Sequence, residues 1–280
     1  MTSHLIRIFV LLLLLSTPIS AIAQDANQGN GINILLMGVD EAQGDDAWDE
    51  GVRPDSLSVL HLDPDTGSCR LLGIPRDSRV EIPDVGLTKV NHALALGGVQ
   101  LEENVVENFL GISIDHYGLV DYDALIGVVD AIGGITVENP YAFEIGGYSF
   151  AEGTVELDGK QALSFSRYRS GPDGDFGRIN RQQLVMRAVL GKLTTANVLT
   201  TVPSLLKTVE GNFRTDLTVT EMISLATQFQ GSCTPATLET RTLTGENALL
   251  FDPLLNQDLW YVVQDPADVD AATTWLLTGE

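Results

Sequence analysis

The sequence predicts an α/β fold: a single domain in which a mixed central β-sheet is flanked by helices. Short apolar runs typical of buried strands alternate with longer amphipathic patterns typical of helices, but without a regular βαβ rhythm. A tight turn joins two of the first strands, which therefore form an antiparallel hairpin rather than the start of a parallel sheet. The chain has 280 residues, 44% of them hydrophobic, so it is long enough to bury such a core.

The first strands are predicted from short apolar runs and the residues that end them. Residues 32–37 form a run that ends in Gly-Val-Asp and so delivers Asp40 to the end of a buried strand. Residues 56–62 and 69–74 predict the next two strands. Between them, the segment DPDTG at 63–67 predicts a turn, because proline fixes φ and glycine supplies a positive φ.

Helices dominate the pattern farther along the chain. It predicts helices over residues 91–96, 101–110, 121–132, 157–168, 178–193, 202–209 and 219–229, and strands over 116–120 and 135–138. The stretch 170–177, SGPDGDFG, is rich in turn formers and predicts a loop, so the long helix after it is expected to begin at Arg178.

The N-terminal residues indicate export. Arg7 precedes an apolar run over residues 8–15, and Ala-Ile-Ala at 21–23 supplies the small residues that a signal peptidase needs. The run is shorter than the ~20 residues that cross a bilayer. We therefore interpret residues 1–23 as a cleaved signal peptide, with a retained membrane anchor as the alternative, and 24–31 as a lead-in. The protein is expected outside the cytoplasm, secreted or attached to the outer face of the cytoplasmic membrane.

Composition and missing motifs exclude several classes of function. The chain carries 38 Asp and Glu against 16 Lys and Arg, a net charge of -22, so its overall field does not attract nucleic acid. The sequence has no G-x-S-x-G, H-E-x-x-H, Walker or paired C-x-x-C motif, and its four histidines lack ligand spacing. Cys69 and Cys233 are compatible with a disulfide and, equally, with two buried thiols.

Against this acidic background the arginines are clustered. Eleven arginines follow residue 23, and seven fall in three short segments: Arg53; Arg76 and Arg79; and Arg167, Arg169, Arg178 and Arg181. Such clusters at loop and strand ends indicate anion recognition, because the guanidinium fork matches phosphate oxygens. Arg79 is better interpreted as a counter-charge to Glu81 on the same strand face, and Arg187 as a solvated side chain.

The predicted helix from Arg178 combines positive charge with an apolar stripe. Arg178, Arg181 and Gln182 share one side of its first turn, where backbone N–H groups and the helix dipole also favour anions. Val185 and Val189 continue that side. A ligand with a phosphate head and an apolar tail would suit this gradient, while the alternative is that the valines belong to the ordinary core.

Two carboxylates suggest a divalent cation beside the arginines. Asp40 and Asp55 flank an acidic loop, each next to a strand end. Mg²⁺ takes one or two protein carboxylates and completes its octahedron with phosphate oxygens and water. The remaining acids of the loop, Asp45, Asp46, Asp49 and Glu50, are interpreted as solvated charges.

Eight segments together resemble the LytR-CpsA-Psr (LCP) family. In chain order they are NILLMGVD (33–40), RPDSLSVLHLDPDTG (53–67), LLGIPRDSRVEIP (71–83), KVNHALALGG (89–98), FLGISIDHYGLVDY (109–122), VDAIGGITV (129–137), LDGKQALSFSRYR (157–169) and GDFGRINRQQ (174–183). Each segment alone is weak, but the ordered combination is specific. The resemblance covers a core of residues 32–195, and 196–280 are expected to continue the same domain.

The resemblance implies a function and a set of site residues. LCP proteins have a hydrophobic pocket for a polyprenyl chain, which we expect at Val185 and Val189. They transfer a phosphate-linked glycopolymer from a polyprenyl-pyrophosphate carrier at the membrane surface to a peptidoglycan hydroxyl, with Mg²⁺, or Mn²⁺ in its place. Asp40 and Asp55 match the metal ligands. The positions that match the phosphate-binding set are Arg53, Arg76, Lys89, Arg167, Arg169, Arg178 and Gln182.

Within this set, Asp40, Arg76, Arg167 and Arg169 are the residues expected to be catalytic, with Asp40 as a candidate base. The same residues would also serve two alternative functions. One is hydrolysis of the polyprenyl pyrophosphate by water. The other is non-catalytic binding of polyprenyl phosphate by a regulatory protein.

Overall fold

The computed structural model describes residues 31–40, 51–172, 174–195 and 198–280. Its strands are β1 (Ile32–Gly38), β2 (Ser56–Leu62), β3 (Cys69–Ile74), β4 (Arg79–Ile82), β5 (Gly86–Lys89), β6 (His116–Val120), β7 (Ile135–Asn139), β8 (Phe143–Ile145), β9 (Tyr148–Phe150), β10 (Gly153–Leu157), β11 (Phe213–Thr215), β12 (Glu239–Thr242), β13 (Glu246–Asp252) and β14 (Gln257–Val263). Its helices are α1 (His92–Leu110), α2 (Tyr122–Ala131), α3 (Gly159–Arg167), α4 (Gly174–Thr195), α5 (Val198–Thr208), α6 (Val219–Gln228) and α7 (Pro266–Thr278).

A six-stranded mixed sheet forms the centre, with the strand order β11-β6-β1-β2-β3-β12. β1, β2 and β3 form an antiparallel meander, while β6 runs parallel to β1 and β12 runs parallel to β3. The predicted turn joins β2 to β3, where the Gly67 N–H donates to the Asp63 carbonyl and Gly67 has φ of 70°. The predicted fold class, a mixed sheet flanked by helices, is confirmed.

Two large clusters of buried apolar side chains make up most of the core. The first joins the central sheet to α1 and α7, with Leu35, Leu72 and Trp275 among its members. The second packs α2, α3 and α4 against β7 and β10, and it contains Val185 and Val189. Both valines are buried in this cluster, and burial alone does not distinguish an ordinary core position from the wall of a lipid pocket. A lipid pocket along this stripe remains a prediction.

Helix ends follow the local signals read from the sequence. α1 is interrupted at Gly97 and Gly98, as the two separate helices predicted there require, and Gly98 has φ of 66°, which favours glycine. Gly111 closes α1 in the left-handed conformation. Asp121 caps α2 by accepting a hydrogen bond from the Ala124 N–H at 2.8 Å.

Three predicted helix starts were wrong, and one of them is that of α5, which begins at Val198, four residues before the predicted residue 202. α4 begins at Gly174, four residues before the predicted start, so Arg178 and Arg181 lie in its second turn and not at its N-terminus. Glycine and aspartate cost little in a first turn, whose N–H groups have no intrahelical partner, so packing extends the helix into a segment that reads locally as a loop. α3 begins at Gly159 rather than at Leu157, because Leu157 ends β10 and Asp158 forms a capping box with Gln161.

Cys69 and Cys233 form a disulfide with a Cα–Cα distance of 5.7 Å, which decides between the two interpretations of these cysteines. The bridge ties β3 to the segment between α6 and β12. In the part of the chain that the structure describes, no helix is long and apolar enough to cross a membrane. The predicted signal peptide (1–23) and the acids of residues 41–50 lie outside the described residues.

Candidate functional site

One end of the central sheet brings Asp40 and Asp55 together. Asp40 lies two residues beyond β1 and Asp55 immediately precedes β2, and the Asp55 N–H donates to the Gly38 carbonyl at 2.8 Å. Because β6 is parallel to β1, the start of α2 arrives at the same end. There the Tyr122 hydroxyl donates to Asp40 Oδ1 at 2.5 Å, and it lies 3.2 Å from Asp55 Oδ2. The predicted pairing of the two aspartates is therefore present.

The two carboxyl groups differ in their ease of ionisation. The hydrogen bond with Asp55, reinforced by burial, raises the pKa of Asp40 above its ordinary value. Burial also acts to raise the pKa of Asp55, but the hydrogen bond with Asp40 and the charges of Arg76 and Arg178 outweigh it and lower that pKa. Without a cation, the pair thus holds its negative charge mainly on Asp55.

Ion pairs connect the loop that follows β3 with the end of β5 and with Asp55. Arg76 forms an ion pair with Asp55, and its Nε lies 3.7 Å from Asp77 Oδ2. Lys89, at the end of β5, donates from Nζ to Asp77 Oδ1 at 2.6 Å. Asp77 therefore holds two of the predicted phosphate-binding side chains in place, a role that the sequence did not predict.

These groups surround a cavity of about 480 Å³. Its charged lining consists of Arg53, Arg76, Lys89, Asp40, Asp55 and Asp77. Leu255 and Leu259, from β14 and the turn before it, add an apolar edge. The cavity is therefore polar at its centre and has three cations to hold an anionic ligand.

The other predicted phosphate-binding residues lie near this cavity or on the elements beside it. The Arg167 guanidinium is exposed and lies 4.8 Å from the centre of the Tyr122 ring, and its charge acts on Asp40. Arg178 is only 2% exposed, and its charge acts on Asp55. Arg169 is exposed two residues beyond α3, and Gln182 is half-buried one turn after Arg178. The structure thus brings Arg167 and Arg178 to the aspartate pair and leaves the roles of Arg169 and Gln182 as predictions.

Arg181 has a different environment from the one its sequence position indicated. It is 1% exposed, donates to the Tyr141 hydroxyl at 2.7 Å and to the Tyr168 carbonyl, and lies 5.0 Å from the Tyr168 ring centre. It therefore stabilises the packing of the Tyr141, Phe143 and Tyr168 rings against α4. Arg79 lies 5.4 Å from the centre of the Tyr261 ring and, among the ion pairs of the described residues, forms none with Glu81.

Two neighbouring residues of the cavity wall, Asn91 and His92, were not predicted as site residues. Asn91 donates from Nδ2 to the Pro54 carbonyl at 3.3 Å, while its Oδ1 is buried without a hydrogen-bond partner. His92 Nδ1 lies 2.7 Å from Thr88 Oγ1, and Thr88 in turn donates to Asp252 at 2.7 Å. Asn91 and His92 stand next to each other in the quoted segment KVNHALALGG, which is the only local signal that could have identified them.

The donor set fits a divalent cation of the Mg²⁺ type. In the described ranges, no group of three or more His, Cys, Asp or Glu side chains is arranged to hold a metal ion. Mg²⁺ does not need such a group, because it takes one or two carboxylates and keeps water and phosphate oxygens as its other ligands. The Tyr122 hydroxyl lies 2.5 Å from Asp40 and 3.2 Å from Asp55, so the two carboxylates approach one point at which they could hold the same cation.

Known proteins resemble this chain over most of its length. A profile of the LytR_cpsA_psr family matches residues 16–274. The polyisoprenyl-teichoic acid–peptidoglycan teichoic acid transferase TagU of Bacillus licheniformis is 40% identical over 202 residues, which are 71% of this chain and 64% of that protein. The TagU of Bacillus subtilis is 36% identical over 208 residues, 74% of this chain and 66% of that protein. The match thus spans slightly less than two thirds of the length of these relatives.

The fold is shared with a solved structure as well. The crystal structure of B. subtilis TagV superposes with a TM-score of 0.76 at 30% sequence identity, and the match covers 88% of this chain and 95% of that one.

Proposed function

The chain belongs to the LytR-CpsA-Psr family, and from this we propose that it transfers a phosphate-linked glycopolymer from a polyprenyl-pyrophosphate carrier to a peptidoglycan hydroxyl. The reaction forms a phosphodiester bond and releases polyprenyl phosphate. The observation that carries the proposal is the grouping of Arg53, Arg76 and Lys89 with the Asp40–Asp55 pair around one cavity. The names of the relatives support a teichoic acid as the polymer.

The cations around the cavity supply the binding energy for the pyrophosphate. Each charge-assisted hydrogen bond to a phosphate oxygen contributes about 1.5–3 kcal/mol. Arg53, Arg167 and Arg169 are exposed and can meet an entering headgroup, whereas Arg178 is buried beside Asp55. This local positive charge is needed, because a chain with a net charge of -22 otherwise repels an anionic substrate.

We infer that Asp40 and Asp55 hold the cofactor, Mg²⁺ with Mn²⁺ as the alternative. When bound, the cation would supply neutralisation of the pyrophosphate charge. Tyr122 orients Asp40 by donating its hydroxyl hydrogen to that carboxylate, and Arg76 holds Asp55 through an ion pair. These contacts fix the ligands before the substrate arrives, which lowers the entropic cost of forming the site.

The protein's own part in the reaction is positioning and charge stabilisation. Arg76 and Arg167 flank the aspartate pair, so their guanidinium groups can donate to the phosphate oxygens as a new oxygen–phosphorus bond forms and the bond to the carrier phosphate breaks. Arg169, which follows on the same segment, would hold the polymer-side phosphate. The Asp40 carboxylate accepts from Tyr122 and would hold the cation when it binds, which leaves it poorly suited to remove a proton as well.

The carrier's prenyl tail would add shape selection more than affinity. Burial of a CH₂ group gains about 0.8 kcal/mol relative to water, but the bilayer offers the tail almost the same environment. We therefore propose that the headgroup dominates binding and that the prenyl tail extends along the Val185–Val189 side of α4. The protein would then act at the outer face of the cytoplasmic membrane, close to the peptidoglycan.

A reconstituted reaction tests the proposal. Purified protein is mixed with Mg²⁺, a polyprenyl-pyrophosphate-linked teichoic acid precursor and peptidoglycan, and both wall-bound polymer and polyprenyl phosphate are measured. Both products are expected, with losses of at least about 100-fold in Asp40→Ala and Arg167→Ala. Arg187→Ala, whose side chain lies against the Pro235 carbonyl at the surface, is the matched control and should retain activity. Absence of both products in the wild-type reaction would refute the proposal.

A further inference from the structure

A series of hydrogen bonds between buried polar side chains leads from the C-terminal hairpin, formed by β13 and β14, to the cavity. Asp252 is 0% exposed and accepts from the Tyr261 hydroxyl at 2.6 Å, from Thr88 Oγ1 at 2.7 Å and from the Leu255 N–H at 2.7 Å. Thr88 Oγ1 then meets His92 Nδ1 at 2.7 Å. His92 is the last residue of this hydrogen-bond series and lines the cavity that the pyrophosphate would occupy.

The order of donors fixes the form of the His92 ring. The Thr88 hydroxyl has a single hydrogen, and it is given to Asp252. Towards His92, Thr88 Oγ1 can therefore only accept, so Nδ1 carries the ring proton. This leaves Nε2 as the nitrogen with a lone pair, on a residue that is 2% exposed and lines the cavity wall.

Burial, together with the nearby cations, keeps the His92 ring neutral before substrate binds. Burial lowers the pKa of His92 to about 4, and the positive charge of Arg53 adds to this effect, as does Lys89, against the opposing charges of Asp252 and Asp77. Arg53 and Lys89 are among the cations proposed to bind the pyrophosphate. An anionic substrate would offset both charges, and the ring would then accept a proton more readily than in the free protein.

We propose that His92 is a catalytic residue, the base that takes the proton of the acceptor hydroxyl at Nε2, and that Thr88 and Asp252 are positioning residues that hold its tautomer. This inference rests on the proposed function. As the acceptor oxygen bonds to phosphorus, its O–H bond breaks and the proton moves to Nε2. The bond from phosphorus to the bridging oxygen breaks, its electron pair leaves with polyprenyl phosphate, and the imidazolium then returns its proton to water.

Substitution of His92 tests the role in the reconstituted transfer reaction. His92→Gln should lower kcat by about 100-fold or more, the usual contribution of a positioned base. Binding of inorganic pyrophosphate with Mg²⁺, measured by titration calorimetry, should change by less than about threefold, because charge recognition stays with the arginines and Lys89. The acidic limb of the kcat–pH profile of the wild type should be absent in His92→Gln.

Controls separate the proposed role from a general effect of losing a buried histidine. His61 is also buried, with Nδ1 bonded to Asn33 Oδ1 at 2.8 Å, but it does not line the cavity, so His61→Gln should keep the wild-type kcat. Thr88→Val should lower kcat at least about tenfold, and Thr88→Ser, which keeps the hydroxyl, should restore it. Thermal unfolding of each variant checks the fold, and if His92→Gln does not fold, the Thr88 pair decides.

Two outcomes overturn the inference while the proposed function stands. One is an active wild type with His92→Gln within about threefold of its kcat, and the other is equal activity of Thr88→Val and Thr88→Ser. A wild type that binds pyrophosphate but attaches no polymer refutes the proposed function, and with it this role of His92.

Discussion

Glu102 provides a stability test of the helix that carries His92 to the cavity. Its side chain is 0% exposed, and Oε2 accepts a hydrogen bond from the Leu94 N–H at 2.7 Å. Leu94 is the third residue of α1, and the preceding Asn91 makes no side-chain cap hydrogen bond. Glu102 thus satisfies a first-turn donor of α1 from beyond the break at Gly97 and Gly98. Its other oxygen, Oε1, is buried without a partner.

The magnitude of the effect follows from the pKa. Burial raises the pKa of Glu102 from 4.5 to about 8, although the hydrogen bond from Leu94 acts to lower it. The stability that the neutral carboxyl provides is fully present below pH 4.5 and is lost as pH rises through about 8. At about 1.4 kcal/mol per pH unit, the loss amounts to on the order of 5 kcal/mol.

Glu102→Gln removes this dependence, because the amide resembles the protonated carboxyl and does not ionise. The free energy of unfolding of both proteins is measured by urea denaturation at half-unit steps from pH 4.5 to 9. The variant and wild type should be similar at pH 4.5, and the variant should become progressively more stable towards pH 9. Glu156→Gln, at an exposed position of β10, is the control for loss of a surface carboxylate. A flat difference between Glu102→Gln and wild type over this range would refute the reasoning.

Three further perturbations follow from the structure. Cys233→Ser should lower the free energy of unfolding by about 4–5 kcal/mol in guanidinium denaturation, because the lost disulfide closes a loop with a sequence separation of 164, and a loss below about 1 kcal/mol would contradict this. Arg178→Met should weaken binding of inorganic pyrophosphate with Mg²⁺ about tenfold or more by calorimetry, with Arg187→Met as the control, and equal affinities of the two variants would count against the role of Arg178. Tyr122→Phe should weaken Mg²⁺ binding roughly tenfold, since the hydroxyl no longer orients Asp40, and an unchanged affinity would show that it does not.

Local patterns predicted β1, β2, β3 and β6 of the six-stranded central sheet and placed the two aspartates beside strand ends. The hairpin of β2 and β3 follows from two apolar runs and one turn with the chemistry of proline and glycine. Asp40 and Asp55 flank one loop, each beside a predicted strand end, and the antiparallel pairing of β1 with β2 in the structure brings these two strand ends together. The arginine clusters were also informative, because a chain with few cations and many acids is not expected to group its arginines without a function.

Long-range contacts could not be predicted in the same way. The hydrogen bond from Thr88 to Asp252 joins residues 164 positions apart, and no local pattern marks either as part of a site. In the sequence, Asp77 resembles an ordinary turn residue next to the predicted Arg76. Its ion pair with Lys89, twelve positions away, is visible only in the structure. Arg181 was assigned to the anion-binding side of a helix turn, but the aromatic rings of Tyr141 and Tyr168 decide its position, and these arrive from other elements.

Transfer is tested most directly by asking whether the oxygen newly bonded to the polymer phosphate comes from a peptidoglycan hydroxyl or from water. The reconstituted reaction is run in H₂¹⁸O with donor, Mg²⁺ and peptidoglycan, and the polymer phosphate is analysed by mass spectrometry. Transfer to a peptidoglycan hydroxyl predicts an unlabelled phosphodiester on the wall and one polyprenyl phosphate released for each polymer attached. A polymer released as a free phosphate monoester that carries one ¹⁸O atom, with no wall-bound product, would contradict transfer and identify the protein as a hydrolase.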